Sequence, residues 1–325
     1  MAHARRIVVI SDIHYAGEAE RKRRGYEFDV IRNPALRLAL RLHRRFIWLR
    51  DPFAHNHLLD AFLRGADSPD YVVANGDYSC DTAFVGVSDD AACQSASECL
   101  AKLRNRFRSG LTATIGDHEL GKFSIFGRQG GMRLASWHRT RQELLLQPFW
   151  RVESGLYVLL GVASSLIAFP VFEPEALPEE RSAWCALRDE HLEDIRQAFA
   201  RLKPTQRLLL FCHDPTALPF LLREAEVCRK LDNIDHTIIG HLHSNLIFWK
   251  SRLLAGMPTI RSLGNSVRRM SAALNDARSW RPFKVRLCPS MAGIELLKDG
   301  GFVEIGIDEA GRHPARIRFH PLRRT

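Results

Sequence analysis

Five short apolar segments of this 325-residue chain each end in a cluster of aspartate, histidine, asparagine or glycine. The clusters are residues 11–14 (SDIH), 75–77 (NGD), 116–119 (GDHE), 212–214 (CHD) and 240–243 (GHLH). The segments before them are rich in valine, isoleucine and leucine, as strands buried on both faces of an α/β sheet are. Such sheets present ligands at the carboxyl ends of their strands. The repetition therefore predicts one polar site built from five strand ends.

The hydrophobic periodicity predicts the elements around these clusters. Strands are expected at residues 7–10, 71–74, 111–115, 156–163, 208–212 and 236–239, and helices at residues 34–50 and 184–202. Residues 294–319 predict two or three antiparallel strands with turns at residues 299–301 and 309–311. No repeat or linker divides the chain. We therefore expect one α/β domain over residues 1–325, with residues 18–64 as a helical insertion or lid.

Charge and cysteine content limit the environment and the partner. The net charge of +10 and the isoelectric point near 9.6 indicate an anionic partner, which could be a phosphorylated substrate, a nucleic acid or acidic lipid. The seven cysteines form no C-x-x-C pair, and an odd number cannot all be disulfide-bonded within one chain. The first apolar run is too short for a signal peptide. These features favour a reducing cytoplasm.

The longest uncharged stretch, residues 154–172, leaves two interpretations open. It is just long enough for a membrane span. However, it contains glycine, serine and proline, and its first half is typical of a buried strand followed by a turn. We favour the strand.

The chemistry of the clusters indicates metal binding. Aspartate and histidine offer the oxygen and imidazole ligands that manganese, iron and zinc accept, and glycine lets the backbone turn sharply beside an ion. The seven candidate ligands are Asp12, His14, Asp77, Asp117, His213, His241 and His243. Seven ligands are enough for two ions that share one carboxylate. A single histidine at a strand end is more often structural, but five ordered clusters favour a metal site.

These clusters resemble the signature of the calcineurin-like metallophosphoesterase superfamily, which is D-x-H, G-D, G-N-H-[DE], H and G-H-x-H. The resemblance covers residues 7–245 and implies a four-layer α/β/β/α sandwich of two mixed sheets. It also implies a two-metal hydrolase of phosphoester or pyrophosphate bonds. By position, it implies that Asp12, His14 and His243 hold one ion, that Asp117, His213 and His241 hold the other, and that Asp77 bridges them. His118 corresponds to the family histidine that contacts the substrate phosphate and can protonate the leaving oxygen.

One residue departs from the family pattern. Asp117 stands where the family normally has asparagine, so a carboxylate replaces a neutral carbonyl ligand. The added charge should tighten divalent binding and lower the electrophilicity of the site, unless Asp117 coordinates through one oxygen as the amide would. We expect two divalent ions, with manganese as the first choice and iron or zinc as alternatives. Glu119 is expected either to orient the His118 imidazole or to have a structural role.

Residues 34–50 predict a basic amphipathic helix, with Asn33 as N-cap and Pro34 at its first position. Its leucines and other apolar residues share one broad arc, and the other arc carries Arg37, Arg41, Arg44 and Arg45. Trp48 falls on the basic face, where a core-packed helix has little use for it. The pattern indicates a lid that lies on an anionic membrane or receives acyl chains. The alternative is a packed helix with a solvated arginine face.

A second basic cluster follows the third strand-end motif. It contains Arg128, Arg133, His138, Arg139 and Arg141, and a further group, Asn265, Arg268 and Arg269, follows the last motif. We expect Arg128, Arg133, His138, Arg139 and Asn265 to contact a substrate phosphate, unless they form solvated surface. Together with the helix, these features resemble the UDP-2,3-diacylglucosamine pyrophosphatases of lipid A synthesis, which are basic, cytoplasmic and peripheral at the inner face of the membrane. A lipid-linked nucleotide would then be the substrate, an anionic membrane surface is a candidate partner, and no protein partner can be inferred.

Two other functions remain open. One is a soluble phosphodiesterase that acts on nucleotides or nucleic acid, although no interleaved aromatic and basic groove indicates single-strand binding. The other is a non-catalytic scaffold of the same fold. Because every ligand position holds a competent residue, we rank the scaffold last.

Overall fold

The computed structural model describes residues 4–23, 31, 33–80, 84–121, 130–260 and 265–323, without the side chains of residues 265–270. The strands are β1 (Ala4–Ile10), β2 (Tyr71–Asn75), β3 (Leu111–Thr114), β4 (Phe149–Ser154), β5 (Tyr157–Val162), β6 (Arg207–Cys212), β7 (Ile234–Ile239), β8 (Val285–Leu287), β9 (Gly301–Asp308) and β10 (Arg316–Pro321). They form two five-stranded sheets, in the orders β10-β9-β1-β2-β3 and β4-β5-β6-β7-β8.

Both sheets are mixed. In the first sheet β1, β2 and β3 are parallel, while β9 is antiparallel to β1 and to β10. In the second sheet β5, β6, β7 and β8 are parallel, and β4 is antiparallel to β5. The described helices are α1 (Glu18–Lys22), α2 (Pro34–Phe46), α3 (Asn56–Gly65), α4 (Asp90–Phe107), α5 (Asp117–Leu120), α6 (Leu134–Gln142), α7 (Ser164–Ile167), α8 (Phe169–Phe172), α9 (Arg181–Ala200), α10 (Leu218–Leu221), α11 (Ala225–Cys228), α12 (Asn245–Leu253) and α13 (Asn265–Asp276).

The alternation of side chains along β1 shows how the layers pack. Val8 and Ile10 belong to a core cluster that includes Phe62 of α3, whereas Ile7 belongs to a cluster that also contains Phe211 of β6. Successive side chains of a strand point to opposite faces of its sheet. One face of the first sheet therefore packs against helices, and its other face packs against the second sheet.

A third cluster covers the far side of the second sheet. There, Leu208 and Leu210 of β6 pack with Leu192 and Phe199 of α9. Helices therefore flank both sheets, and the expected α/β/β/α sandwich of two mixed sheets is confirmed.

Each of the six strands predicted before the tail is present, with ends shifted by up to three residues. β4 and β8 were not predicted, because β4 is only partly buried and β8 has three residues. In the tail, β9 and β10 form the predicted antiparallel pair, but residues 294–299 form a turn instead of a strand. Asp299 organises that turn by accepting a hydrogen bond from the Ile294 N–H at 3.2 Å.

The uncharged stretch at residues 154–172 forms the buried strand β5 followed by the short helices α7 and α8. In the described ranges, no helix is long and apolar enough to cross a membrane.

The helix predicted at residues 34–50 ends at Phe46, four residues early. Asn33 caps it as expected, because its side chain accepts the N–H groups of Ala35 and Leu36. Beyond the helix, the N–H of Leu296 donates to the Ile47 carbonyl at 3.2 Å, so the chain bonds to the tail turn. No residue of α2 is fully buried, and Leu36 and Leu40 are partly buried.

The contact between the two sheets gives a stability prediction. Phe211 is fully buried there, and Phe211→Ala should reduce the free energy of unfolding by about 3–5 kcal/mol, because a cavity replaces the ring. The matched control is Phe46→Ala, whose ring is 60% exposed and should cost less than about 1 kcal/mol. Urea denaturation of both variants measures the difference. Equal losses would contradict the packing described here.

Candidate metal centre

The five polar clusters meet where the carboxyl ends of the two sheets approach each other. Backbone hydrogen bonds join their loops, because the Asp12 N–H donates to the Gly76 carbonyl at 3.2 Å and the Gly240 N–H donates to the His213 carbonyl at 2.9 Å. The first bond joins the loops after β1 and β2, and the second joins those after β6 and β7. The loops are therefore held against each other by their own backbones.

Two groups of side chains lie close enough to hold metal ions. Within each group, the possible ligand atoms all lie within 4.8 Å of one another. One group is Asp12, His14 and His243, and the other is Asp77, Asp117, His213 and His241. The structure thus brings together all seven residues that were predicted as ligands. This arrangement of aspartate and histidine fits a binuclear divalent metal site.

Asp77 lies between the two groups. A third set of ligand atoms within 4.8 Å consists of His14, Asp77 and His118, so Asp77 is near a member of the first group as well as its own. This is the position that a bridging carboxylate requires.

The second group is compact. The His213 Nε2 atom lies 3.1 Å from Asp77 Oδ2 and 3.2 Å from Asp117 Oδ1. The His241 Nδ1 atom lies 3.1 Å from the same Asp117 oxygen. One oxygen of Asp117 therefore faces both imidazoles, as a single amide oxygen could.

The first group contains a buried nitrogen that a cation would satisfy. The His14 Nε2 atom is buried and has no hydrogen-bond partner in the described part of the chain, and it lies 4.0 Å from Asp12 Oδ1. The His243 Nε2 atom lies 3.4 Å from the same oxygen, and the two imidazoles stack with centroids 5.0 Å apart. A buried nitrogen without a partner is costly unless an ion binds it.

Five of the seven candidate ligands have left-handed backbone conformations. They are Asp12 (φ 50°), His14 (φ 49°), Asp77 (φ 61°), His241 (φ 60°) and His243 (φ 58°). This region is uncommon for residues other than glycine, and each instance costs free energy that the surrounding structure must offset. Strain of this kind concentrates at functional sites.

Glycine is required beside these residues. A Cβ atom at Gly116 would collide with the Asp77 carboxylate, and one at Gly240 would collide with the Ser11 hydroxyl. The glycines therefore let the ligand loops approach more closely than any other residue would allow.

The pKa values of Asp77 and His213 are shifted by burial and by nearby buried carboxylates. Burial raises the pKa of Asp77, and the charge of Asp117 raises it further. Burial alone would lower the pKa of His213, but the charges of Asp77 and Asp12 outweigh it and raise that pKa well above its usual value. Burial alone would raise the pKa of Asp117, but the His241 charge and the hydrogen bonds with His213 and His241 outweigh it and hold that pKa well below its usual value. Opposite charges are therefore packed closely at this site.

Glu119 ties two of the ligand loops together. Its buried carboxylate accepts hydrogen bonds from the backbone N–H groups of Gly116 (2.8 Å), Asp77 (3.1 Å) and Tyr78 (2.9 Å). Of the two roles considered from sequence, these contacts favour the structural one. Burial and the Asp77 charge raise the pKa of Glu119 to about 8.

His118 lies beside both groups without belonging to either. Its Nε2 atom is 3.8 Å from Asp77 Oδ2, and its backbone N–H donates to Asp77 Oδ1 at 3.1 Å. Its imidazole meets the His14 ring edge to face, with centroids 4.6 Å apart. The His118 side chain is buried.

The structure describes the side chains of three predicted phosphate-contacting residues, Arg133, His138 and Arg139. Arg133 donates to the carbonyls of Met132, Gly130 and Glu175. Arg139 pairs with Asp90 and Glu143, and His138 is exposed on α6. Arg128 and the side chain of Asn265 lie outside the described residues. A substrate contact by any of these five residues stays a prediction.

Two neighbours of the centre were barely foreseeable from the sequence. The Trp48 ring lies 4.7 Å from the His243 ring, and its placement on the basic face of the predicted helix was the only signal. Ser290 donates its hydroxyl to the Asp12 carbonyl at 3.2 Å and its N–H to the His243 carbonyl at 3.0 Å. A serine so distant in sequence carries no motif.

Comparisons with solved structures find matches at low sequence identity. A phosphopantetheinyl hydrolase from Mycobacterium tuberculosis is 16% identical, with 75% of this chain and 84% of that chain covered and a TM-score of 0.35. A dimetal phosphatase from Danio rerio is 12% identical, with 96% and 98% covered and a TM-score of 0.45. A purple acid phosphatase from yellow lupin (Lupinus luteus) seeds is 11% identical, with 95% and 50% covered and a TM-score of 0.44.

A search of curated protein sequences found no significant match. The sequence profile described as calcineurin-like phosphoesterase, however, matches residues 5–245. This match covers most of the chain and all five ligand-bearing loops. The chain therefore belongs to the calcineurin-like phosphoesterase family and is a metal-dependent phosphoesterase.

Proposed function

We propose that this protein is a two-metal hydrolase of phosphoester or pyrophosphate bonds. In this proposal Asp12, His14 and His243 hold one ion, Asp117, His213 and His241 hold the other, and Asp77 bridges them. The observation that carries it is the position of Asp77 between two groups of possible ligands. The strained backbone at five of the seven residues further supports a functional site.

In the proposed reaction the ions activate water and stabilise charge, and the chain positions the ligands and supplies a proton. When bound, two divalent ions lower the pKa of a water, hold the phosphoryl oxygens and stabilise the charge that develops during in-line attack. Glu119 and the glycines keep the ligand loops in place, and His118 donates a proton to the leaving oxygen. The position of His118 supports this role, because its imidazole lies beside Asp77 and His14, next to both groups of candidate ligands.

Asp117 in place of asparagine bears on the choice of metal. We infer that it coordinates through one oxygen, because a single oxygen faces both His213 and His241. Manganese remains our first choice for both ions, with iron or zinc as alternatives.

For the substrate, we propose a nucleotide-linked lipid such as UDP-2,3-diacylglucosamine. Two observations support an amphiphile. Helix α2 has no buried residue and exposes Leu38, Leu42 and Phe46, and the following Trp48 contacts a candidate ligand, His243. Acyl chains could therefore lie on apolar side chains while the phosphate reaches the ions.

Removal of the bridging residue should abolish activity. Asp77→Ala should lower metal-dependent hydrolysis of bis(p-nitrophenyl) phosphate at least about 10²–10³-fold, because both ions lose a shared ligand. Chelation should do the same to the wild type, and added manganese should restore it. Exposed Asp67 provides the control Asp67→Ala, which should keep full activity. A fully active Asp77→Ala variant would rule out the bridging role.

If His118 is the proton donor, the effect of removing it should depend on the leaving group of the substrate. His118→Ala should slow turnover by about 10²–10⁴-fold on an alkyl phosphodiester, because the alkoxide must be protonated as it leaves. The loss should be smaller on a nitrophenyl ester, and bound metal measured by elemental analysis should not change. The control is His313→Ala, at an exposed histidine. Equal losses on both esters would remove this role from His118.

The proposed lipid substrate is tested by comparing an acylated with a deacylated nucleotide sugar. The kcat/KM for UDP-2,3-diacylglucosamine should exceed that for the deacylated nucleotide sugar by more than about tenfold, because burying acyl methylenes stabilises the complex. Equal values for the two compounds would favour the soluble-nucleotide alternative instead.

A further inference from the structure

Exposed apolar side chains are concentrated on three segments of the described chain. The described chain has eleven exposed large hydrophobic side chains. Nine of them lie on the three segments, and Leu145 and Phe319 lie elsewhere. The other nine are Leu38, Leu42, Phe46 and Ile47 on and after α2; Trp249, Leu253 and Leu254 on and after α12; and Leu296 and Leu297 in the tail turn. We call these nine residues the apolar rim.

The three segments are fixed to one loop of the metal centre. Helix α12 begins directly after His243, and Ser244, its N-cap, donates its hydroxyl to Asp299 at 2.7 Å. Asp299 closes the tail turn, whose Leu296 N–H donates to the Ile47 carbonyl at 3.2 Å. Trp48 then packs against His243. The apolar rim is therefore attached to the side of the centre that holds His243.

The two helices of the rim carry positive charge only. Helix α2 contains four arginines and α12 contains Lys250 and Arg252, and neither helix contains aspartate or glutamate. Exposed leucine and tryptophan side chains among basic residues match an anionic bilayer, where apolar groups enter the acyl boundary and cations meet the lipid phosphates. A soluble anion would satisfy the charges but not the nine apolar side chains.

We propose that the apolar rim docks the protein on an anionic lipid bilayer, with α12 and the tail turn acting together with α2. The sequence analysis predicted membrane contact by the helix at residues 34–50 alone, and the structure adds two further segments to that surface. It deepens the proposed function, on which it rests, because a bilayer-embedded phosphoester would meet the metal centre beside Trp48. The docking itself requires no catalysis and can be measured alone.

The test compares two leucines of nearly equal exposure. Leu253 is 66% exposed on the rim and Leu145 is 63% exposed away from it. Vesicles of phosphatidylglycerol and phosphatidylcholine, or of phosphatidylcholine alone, are sedimented with the full chain at low and high salt. Wild type should prefer the anionic vesicles and lose affinity with salt. Leu253→Ser should weaken that binding roughly tenfold, whereas Leu145→Ser should not change it.

A charge pair gives a second comparison. Arg252→Glu should weaken binding to anionic vesicles by about fivefold or more, and Arg312→Glu, at an exposed arginine outside the rim, should have little effect. Thermal unfolding monitored by circular dichroism shows that each variant is folded. Equal binding by Leu253→Ser and wild type, or no preference for anionic vesicles, overturns the proposal.

Hydrolysis of bis(p-nitrophenyl) phosphate by the wild type without vesicles separates this inference from the proposed function. Metal-dependent hydrolysis without vesicle binding would overturn the docking surface and leave the hydrolase in place. Vesicle binding without hydrolysis would keep the docking surface and overturn the hydrolase.

Discussion

The mutual repulsion of buried carboxylates is the constraint around which the centre of this protein is arranged. Asp12, Asp77 and Asp117 lie together with almost no solvent exposure. Buried charges of one sign are costly unless hydrogen bonds, opposite charges or metal ions balance them. Here imidazoles supply part of the balance, and two divalent ions would supply the rest. The fold therefore carries a local cost that metal binding offsets, as expected for a site in which metal affinity and folding are linked.

The geometry of the ligands depends on support from several directions. Left-handed backbone at five ligands is held by hydrogen bonds between the loops and by the Glu119 carboxylate. Part of this support comes from beyond the family match, which ends at residue 245. Ser290 bonds the carbonyls of both Asp12 and His243, so the tail helps to position the first group of ligands. Residues that never touch an ion thus set the ligand positions.

The same tail links the centre to the surface. Its turn bonds to Ile47 on one side, and its Asp299 bonds to Ser244 on the other. Short polar contacts therefore fix the apolar rim relative to the ligand loops. If the rim meets a bilayer, these contacts determine how far the metal centre stands from the lipid phosphates.

The sequence by itself determined the sheet strands and singled out the seven candidate ligands that the structure brings together, because both are local signals. A buried strand shows its composition within six residues, and ligands such as Asp12 and His14 directly follow one. Only the tertiary structure decided that Glu119 bonds backbone amides and that Trp48 packs on His243. These contacts join residues from about forty to two hundred positions apart, and neither periodicity nor motif spacing records which distant loops meet when two sheets pack face to face.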